Sequence, residues 1–323
     1  MRDGAGVRPT FQVSNGKHYW RNLLLFTLVV ILIGALVGGV WLAHAHAMNL
    51  VHPGRSISSR APTHYETVTF KTSDGLRLDG WFISTNAPRS PAFVFVHGLG
   101  ANRGAFVDQA AMVVRIGYAA LLIDLRNHGK SEGAITTLGY AEVEDVRAAV
   151  QYLLTRSDVD PERIGLVGHS MGAGTVLRAA ARIPDVRMVI AESAYTSIED
   201  NIADGVRGLT GLPPVPFAPL IIWFGERETG MDIRQVRPID DVPQISPRGV
   251  MLIHGAHDAL IPVRNSQKLY QAAHEPKQLY IVPNADHNSL YAANPQEFER
   301  QVMTFLPRAD MVEKQSSQSG ANP

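Results

Sequence analysis

The 323-residue chain has no cysteine. Disulfides, thiolate metal sites and a cysteine nucleophile are therefore excluded, and the redox compartment is left open. An excess of charge is missing as well, since 30 Lys and Arg stand against 30 Asp and Glu. No basic stripe with interleaved aromatics occurs, so nucleic acid is not an expected partner. Four-ligand metal spacing and internal repeats are also lacking, and neither a metal nor a cofactor is expected.

One stretch lacks charge altogether. Leu23 to Ala43, 21 residues, is almost wholly apolar. At about 1.5 Å per residue it covers roughly 30 Å, the thickness of one hydrocarbon core. Tyr19 and Trp20 at one end and Trp41 at the other suit the two interfacial belts. Residues 23–43 are expected to be an uncleaved transmembrane signal anchor. Ala43-His44-Ala45 and Ala45-His46-Ala47 keep a cleaved signal peptide as the rival, but the run exceeds the usual ~7–15 residues. Arg2, Arg8, Lys17 and Arg21 precede the span, and only Arg55 and Arg60 lie close behind it. The positive-inside rule then places residues 1–22 in the cytoplasm and the following domain outside it. Gly34 and Gly38 have the spacing that lets two such helices approach, a spacing common in membrane spans.

Residues 44–63, with His44, His46, His52, Pro53-Gly54 and several serines, read as a linker. A hairpin follows, Tyr65–Phe70 and Leu76–Ile83 around Ser73-Asp74-Gly75. Apolar strands then alternate with helices up to a last helix at Gln296–Leu306. The strands are 92–96, 119–123, 163–167, 188–190, 250–253 and 279–282, and continuous apolar runs of this kind form a mostly parallel sheet with helices on both faces. The alternation breaks at about 197–247, where Gly211 to Phe224 is apolar and proline-rich, so a small cap is expected there. One domain over 64–307 and a disordered tail over 308–323 complete the layout.

Within that frame Gly168-His169-Ser170-Met171-Gly172 sits between an apolar strand and a helix of small residues. A sharp strand-to-helix turn is where G-x-S-x-G projects a serine hydroxyl as a nucleophile. The pattern occurs twice. The other copy, Gly129-Lys130-Ser131-Glu132-Gly133, follows a polar loop and is not trailed by an immediate helix, which selects Ser170.

Serine needs a neutral imidazole to take its proton, and the imidazole needs a carboxylate to fix its tautomer. On such a sheet the partners follow in the order Ser, Asp or Glu, His, each after a strand. Asp258 follows the strand 250–253 and His287 follows 279–282, so these are the expected acid and base. Glu192, at the end of the strand after Ser170, is the rival acid. His257 precedes the last strand, which is out of order for the base, and Asp286 is expected to shape its loop. The oxyanion needs backbone N–H donors, expected from Met171 and from Leu99 in the loop after the first buried parallel strand. His97 in that loop is expected to hold it by hydrogen bonds.

Together these residues resemble the α/β-hydrolase-fold serine hydrolases over about Tyr65 to Leu306. The resemblance rests on His97-Gly98, the loop Asp124 to Ser131, the turn at Ser170, Asp258 with Ile261-Pro262 after it, and His287. It is strongest with the lysophospholipase, monoacylglycerol-lipase and serine-aminopeptidase-like branch, some members of which carry an N-terminal anchor. It implies that the loop from Asp124 is structural. The expected activity is cleavage of carboxylic esters, acyl or lipid-like, through an acyl-enzyme. A peptidase or amidase with the same three residues is the first alternative, and a non-catalytic binding module on this fold is the second.

Overall fold

A computed structural model describes residues 16–58 and 60–319. Arg2 and Arg8, on which part of the orientation argument rests, lie outside the described residues, as do residues 320–323 of the tail. The elements are α1 (Gly16–Val51), β1 (Glu66–Lys71), β2 (Arg77–Ile83), β3 (Ser90–Val96), α2 (Val107–Arg115), β4 (Ala119–Ile123) and α3 (Glu142–Leu154). They continue with β5 (Val159–His169), α4 (Met171–Arg182), β6 (Val186–Glu192), α5 (Ile198–Thr210), α6 (Pro214–Thr229) and α7 (Pro238–Asp241). The chain then forms β7 (Gly249–Gly255), α8 (Arg264–Ala272), β8 (Lys277–Val282), α9 (Leu290–Ala293) and α10 (Pro295–Ser319).

The eight strands make one sheet in the order β1-β2-β4-β3-β5-β6-β7-β8. The β1–β2 and β2–β4 pairs are antiparallel, and every later pair is parallel. Side chains alternate across the pleat. Val94, Val96, Leu166, Val189 and Leu252 share a core with α3, α4 and α8. Phe93, Phe95, Val167, Ile190 and Ile253 share the opposite core with α2 and α10. Apolar runs buried on both faces explain why β3, β4 and β7 have no exposed residue. The parallel strands end together at one edge, where the loops after β3, β5, β7 and β8 converge.

Two stretches differ from what the sequence suggests. The helix at the N-terminus does not stop at Ala43, and residues 44–51 of the expected linker are its last two turns. Ala43, Ala47 and Val51, spaced four apart on one face, are buried. They belong to a seam between α1 and the cap, where a Cβ on Gly39 would lie 3.3 Å from the Phe217 ring and His44 stacks edge-on against Phe224. The chain beyond is also held. Thr136 N–H donates to the Val51 carbonyl (2.8 Å), His52 Nε2 meets Glu228 Oε1 (2.8 Å), and Arg55 donates to the Ser131 (3.0 Å) and Gly133 carbonyls. The apolar side chains from Leu23 to Val37, by contrast, are 40–69 % exposed.

In the cap the proline-rich stretch is largely helical. Ser197 accepts from Asp200 N–H (3.1 Å) to start α5, Gly211 ends it with φ 69°, and α6 accommodates Pro219. The second difference is α10, which runs on to Ser319 past the expected end at Leu306 and through much of the polar tail.

Candidate active site

Ser170 sits between β5 and α4 with φ 56° and ψ −117°, a conformation that costs a non-glycine residue about 1–3 kcal/mol. Neighbouring bonds hold it there: Ser170 N–H donates to the Glu192 carbonyl (2.8 Å) and Gly174 N–H to the Ser170 carbonyl (3.1 Å). The flanking glycines permit the close approach. A Cβ on Gly172 would overlap the Val96 carbonyl, and one on Gly168 would overlap the Gly172 backbone. From β3, Gly98 backs onto the same turn, and a Cβ there would lie 3.2 Å from Ser170 Cβ.

The loops after β7 and β8 bring the expected partners to this turn. His287 Nε2 lies 3.0 Å from Ser170 Oγ, and His287 Nδ1 lies 2.7 Å from Asp258 Oδ2. A carboxylate only accepts, so Nδ1 carries the proton and Nε2 is left to accept from the Ser170 hydroxyl. The second carboxylate oxygen, Oδ1, accepts from the N–H groups of Leu260 (3.0 Å) and Ile261 (2.8 Å). Burial alone would raise the Asp258 pKa. The hydrogen bonds from His254 and His287, the electrostatic pull of the His287 ring and the Ile261 N–H outweigh it and hold the group well below the usual carboxylate range. An ionised carboxylate is thus fixed behind an imidazole that faces a serine, an arrangement able to move the serine proton to Nε2.

Two further histidines that sequence reasoning passed over support it. The buried His254 ring at the end of β7 donates from Nε2 to the Ile261 carbonyl (2.7 Å), with Asp258 Oδ2 at 3.3 Å, while Nδ1 accepts from Ser266 Oγ (2.6 Å). His169 donates from Nε2 to the His287 carbonyl (2.8 Å), and burial beside His287 lowers its pKa to about 4. Their one sequence signal was position, at the end of β7 and beside Ser170.

The other candidates fall elsewhere. Glu192 points towards α2, where Gln109 Nε2 donates to it (3.2 Å), and burial raises its pKa to about 8. His257 is exposed, and Asp286 accepts from Asn288 N–H, Ser289 N–H and Ser289 Oγ, which shapes the loop after β8. His97 is buried and neutral, its pKa lowered to about 3 by burial and then by His128. Its Nδ1 donates to the Gly98 carbonyl (2.8 Å) and its Nε2 accepts from Leu125 N–H (3.1 Å), which pins the β3 loop.

Ser170 opens on a cavity of about 270 Å³ shared with Leu99, Met171, Leu138, Tyr195 and Ile202. Both expected oxyanion donors thus belong to residues on its wall. A wider cleft of about 1,100 Å³ beside residues 60–66 contains none of the candidate residues. Among the described residues no group of three His, Asp or Glu side chains is placed to hold a metal ion.

Comparison with known proteins bears on this geometry. The model of the alpha/beta hydrolase fold family matches residues 91–209, from β3 through the Ser170 turn into the cap. The chain is 30% identical over 215 residues to the uncharacterized protein YqkD of Bacillus subtilis, covering 66% of this chain and 70% of that protein. The chain belongs to the alpha/beta hydrolase fold family. This hydrolase is also 29% identical to the uncharacterized protein YfhR of Escherichia coli over 82% of its own length and 88% of that protein. Among solved structures it is similar to an esterase of Pyrococcus furiosus, with 25% identity and a TM-score of 0.67. That match covers 80% of this chain and 98% of the esterase.

Proposed function

We propose that the protein is a membrane-anchored serine hydrolase that cleaves carboxylic esters with an apolar acyl group. The observation that carries this reading is His287, bonded at once to Ser170 and Asp258 beside an apolar cavity. In the proposed cycle Ser170 Oγ attacks the ester carbonyl carbon as its proton passes to His287 Nε2. The oxyanion accepts from the N–H groups of Leu99 and Met171, the latter the first residue of α4. The carbon–oxygen bond to the alcohol then breaks, and His287 returns the proton to the departing oxygen. Water, deprotonated by His287, attacks the acyl-enzyme, releasing the acid and restoring the serine hydroxyl.

An esterase among its structural neighbours supports the ester class, and the apolar walls favour acyl or lipid-like esters of the lysophospholipase and monoacylglycerol-lipase kind. The chain holds one helix, among the described residues, that is long and apolar enough to cross a membrane. With the positive residues ahead of it, this supports a single-pass anchor with the hydrolase domain outside the cytoplasm. Rates on aryl esters of increasing chain length, measured beside aminoacyl amides, test the proposal. Faster turnover of esters with an initial burst of alcohol is expected. Faster turnover of the amides would favour a peptidase, and no turnover of either would favour a binding module.

A further inference from the structure

Two apolar cavities lie side by side under the cap, and α1 is a wall of both. The first is the cavity of Ser170, to which α1 contributes His46 and Leu50. The second, about 200 Å³, is bounded by Leu42, Ala43 and His46 of α1, and by Gly205, Val206, Phe217 and Ile221 of the cap among others. His46 and Gly205 line both, so the cavities meet there. Ligand pockets commonly measure about 300–1,000 Å³. The Ser170 cavity falls short of that range alone and reaches it with its neighbour.

The second cavity leads towards the apolar span, whose last residues include Leu42 and Ala43. Phe217, on its cap wall, packs at the level of Gly39, inside the 23–43 stretch. The cap also exposes apolar side chains, Leu212 on the wall of this cavity and Val215 and Trp223 on α6. The wall is fixed in place, because α1 is tied to the domain through Val51, His52 and Arg55.

Gly205 marks the junction. It lies in the interior of α5, where glycine is the weakest helix former after proline. No neighbour demands it, since a Cβ there would meet nothing within 4 Å. Its position faces open space where the two cavities meet. The second cavity also suits an alkyl chain better than a peptide. Apart from the His46 ring at its junction with the Ser170 cavity, its one polar side chain is Thr210, whose hydroxyl already donates to the Val206 carbonyl (2.5 Å), so a peptide group lying deeper would be buried without partners.

We infer that the acyl chain of a membrane-resident lipid ester lies along α1, passing from the bilayer through the second cavity, between His46 and Gly205, to Ser170. The anchor helix is then part of the substrate site. This rests on the ester-hydrolase and anchor readings above.

The test uses the full-length protein in phospholipid vesicles, with 4-nitrophenyl esters from acetyl to palmitoyl. Each methylene denied burial is worth about fourfold in kcat/KM. Gly205→Phe is expected to lower the ratio of long-chain to short-chain kcat/KM at least about tenfold, with Gly205→Ala nearer wild type. An unchanged ratio in Gly205→Phe overturns the inference. A second measurement needs no variant: a long-chain fluorophosphonate with a diazirine at the chain end is attached to the wild-type protein and irradiated. Crosslinks on residues 42–46 or 217–221 are expected, and crosslinks confined to other elements overturn the inference. A wild-type protein neither labelled nor active on any ester would instead overturn the ester reading, and this inference with it.

Discussion

Ser170 and Ser131 stand in the same five-residue spacing and have opposite surroundings. Ser170 is half-buried on an open cavity, with an imidazole nitrogen 3.0 Å from its oxygen. Ser131 is fully buried, and its hydroxyl donates to the Asp124 carbonyl (2.6 Å) and accepts from Asp79 N–H (2.9 Å). The glycines differ in the same way. Gly168 and Gly172 let α4 close onto β3, whereas Gly129 makes room for the Asp124 carboxylate, which accepts from Arg103 N–H (2.8 Å) and Lys130 N–H (2.9 Å). Identical spacing thus yields a presented hydroxyl in one place and a loop clasp in the other. The element that follows the motif decides which.

The largest expected effect breaks the comparison at Ser170. Ser170→Ala should lower kcat on aryl esters by about 10⁴–10⁶ while the thermal melting curve keeps its shape. Next comes the carboxylate. Asp258→Asn should cost about 10³–10⁴ in kcat, because an amide no longer fixes the His287 tautomer, and Glu192→Gln should cost less than about tenfold in the same assay. Ser131→Ala should leave ester turnover in place. Denaturant titration should show it less stable by about 1–3 kcal/mol, since two buried backbone groups lose their partner.

The smallest effect is one of slope. Glu192 has a folded pKa of about 8, raised by burial, against about 4.3 for an unfolded glutamate. Between those values the unfolded chain has released this proton and the native state retains it. This group therefore makes stability fall as pH rises. Melting temperatures taken from pH 5 to 8 should decline less in Glu192→Gln than in wild type. Equal declines would mean that Glu192 is ionised in the fold.

The site was legible where chemistry coincided with strand ends. Ser170, Asp258 and His287 each follow a buried apolar strand, so order along the chain sufficed to propose them, and the structure brings the three side chains together. The structure puts Asp258, not Glu192, against His287, a choice that depends on which way the end of β6 faces. His254 and His169 act through carbonyl and carboxylate partners supplied by other loops, which local sequence does not reveal. The last turns of α1 were hidden for another reason. His44, His46 and Asn49 gave residues 44–51 a linker-like polarity, although Ala43, Ala47 and Val51 already had helical spacing. In the cap, α6 begins among Pro213, Pro214 and Pro216, where proline is tolerated in a first helical turn.

The central claim is that Ser170 is the nucleophile. Its most direct test is a fluorophosphonate reacted with the wild-type protein, with the adduct located by peptide mass. The serine oxygen displaces fluoride from phosphorus, so the probe reports only an activated hydroxyl. One adduct per chain on the peptide containing Ser170, absent from Ser170→Ala, is the predicted result. An adduct on Ser131, or labelling that survives Ser170→Ala, would contradict it.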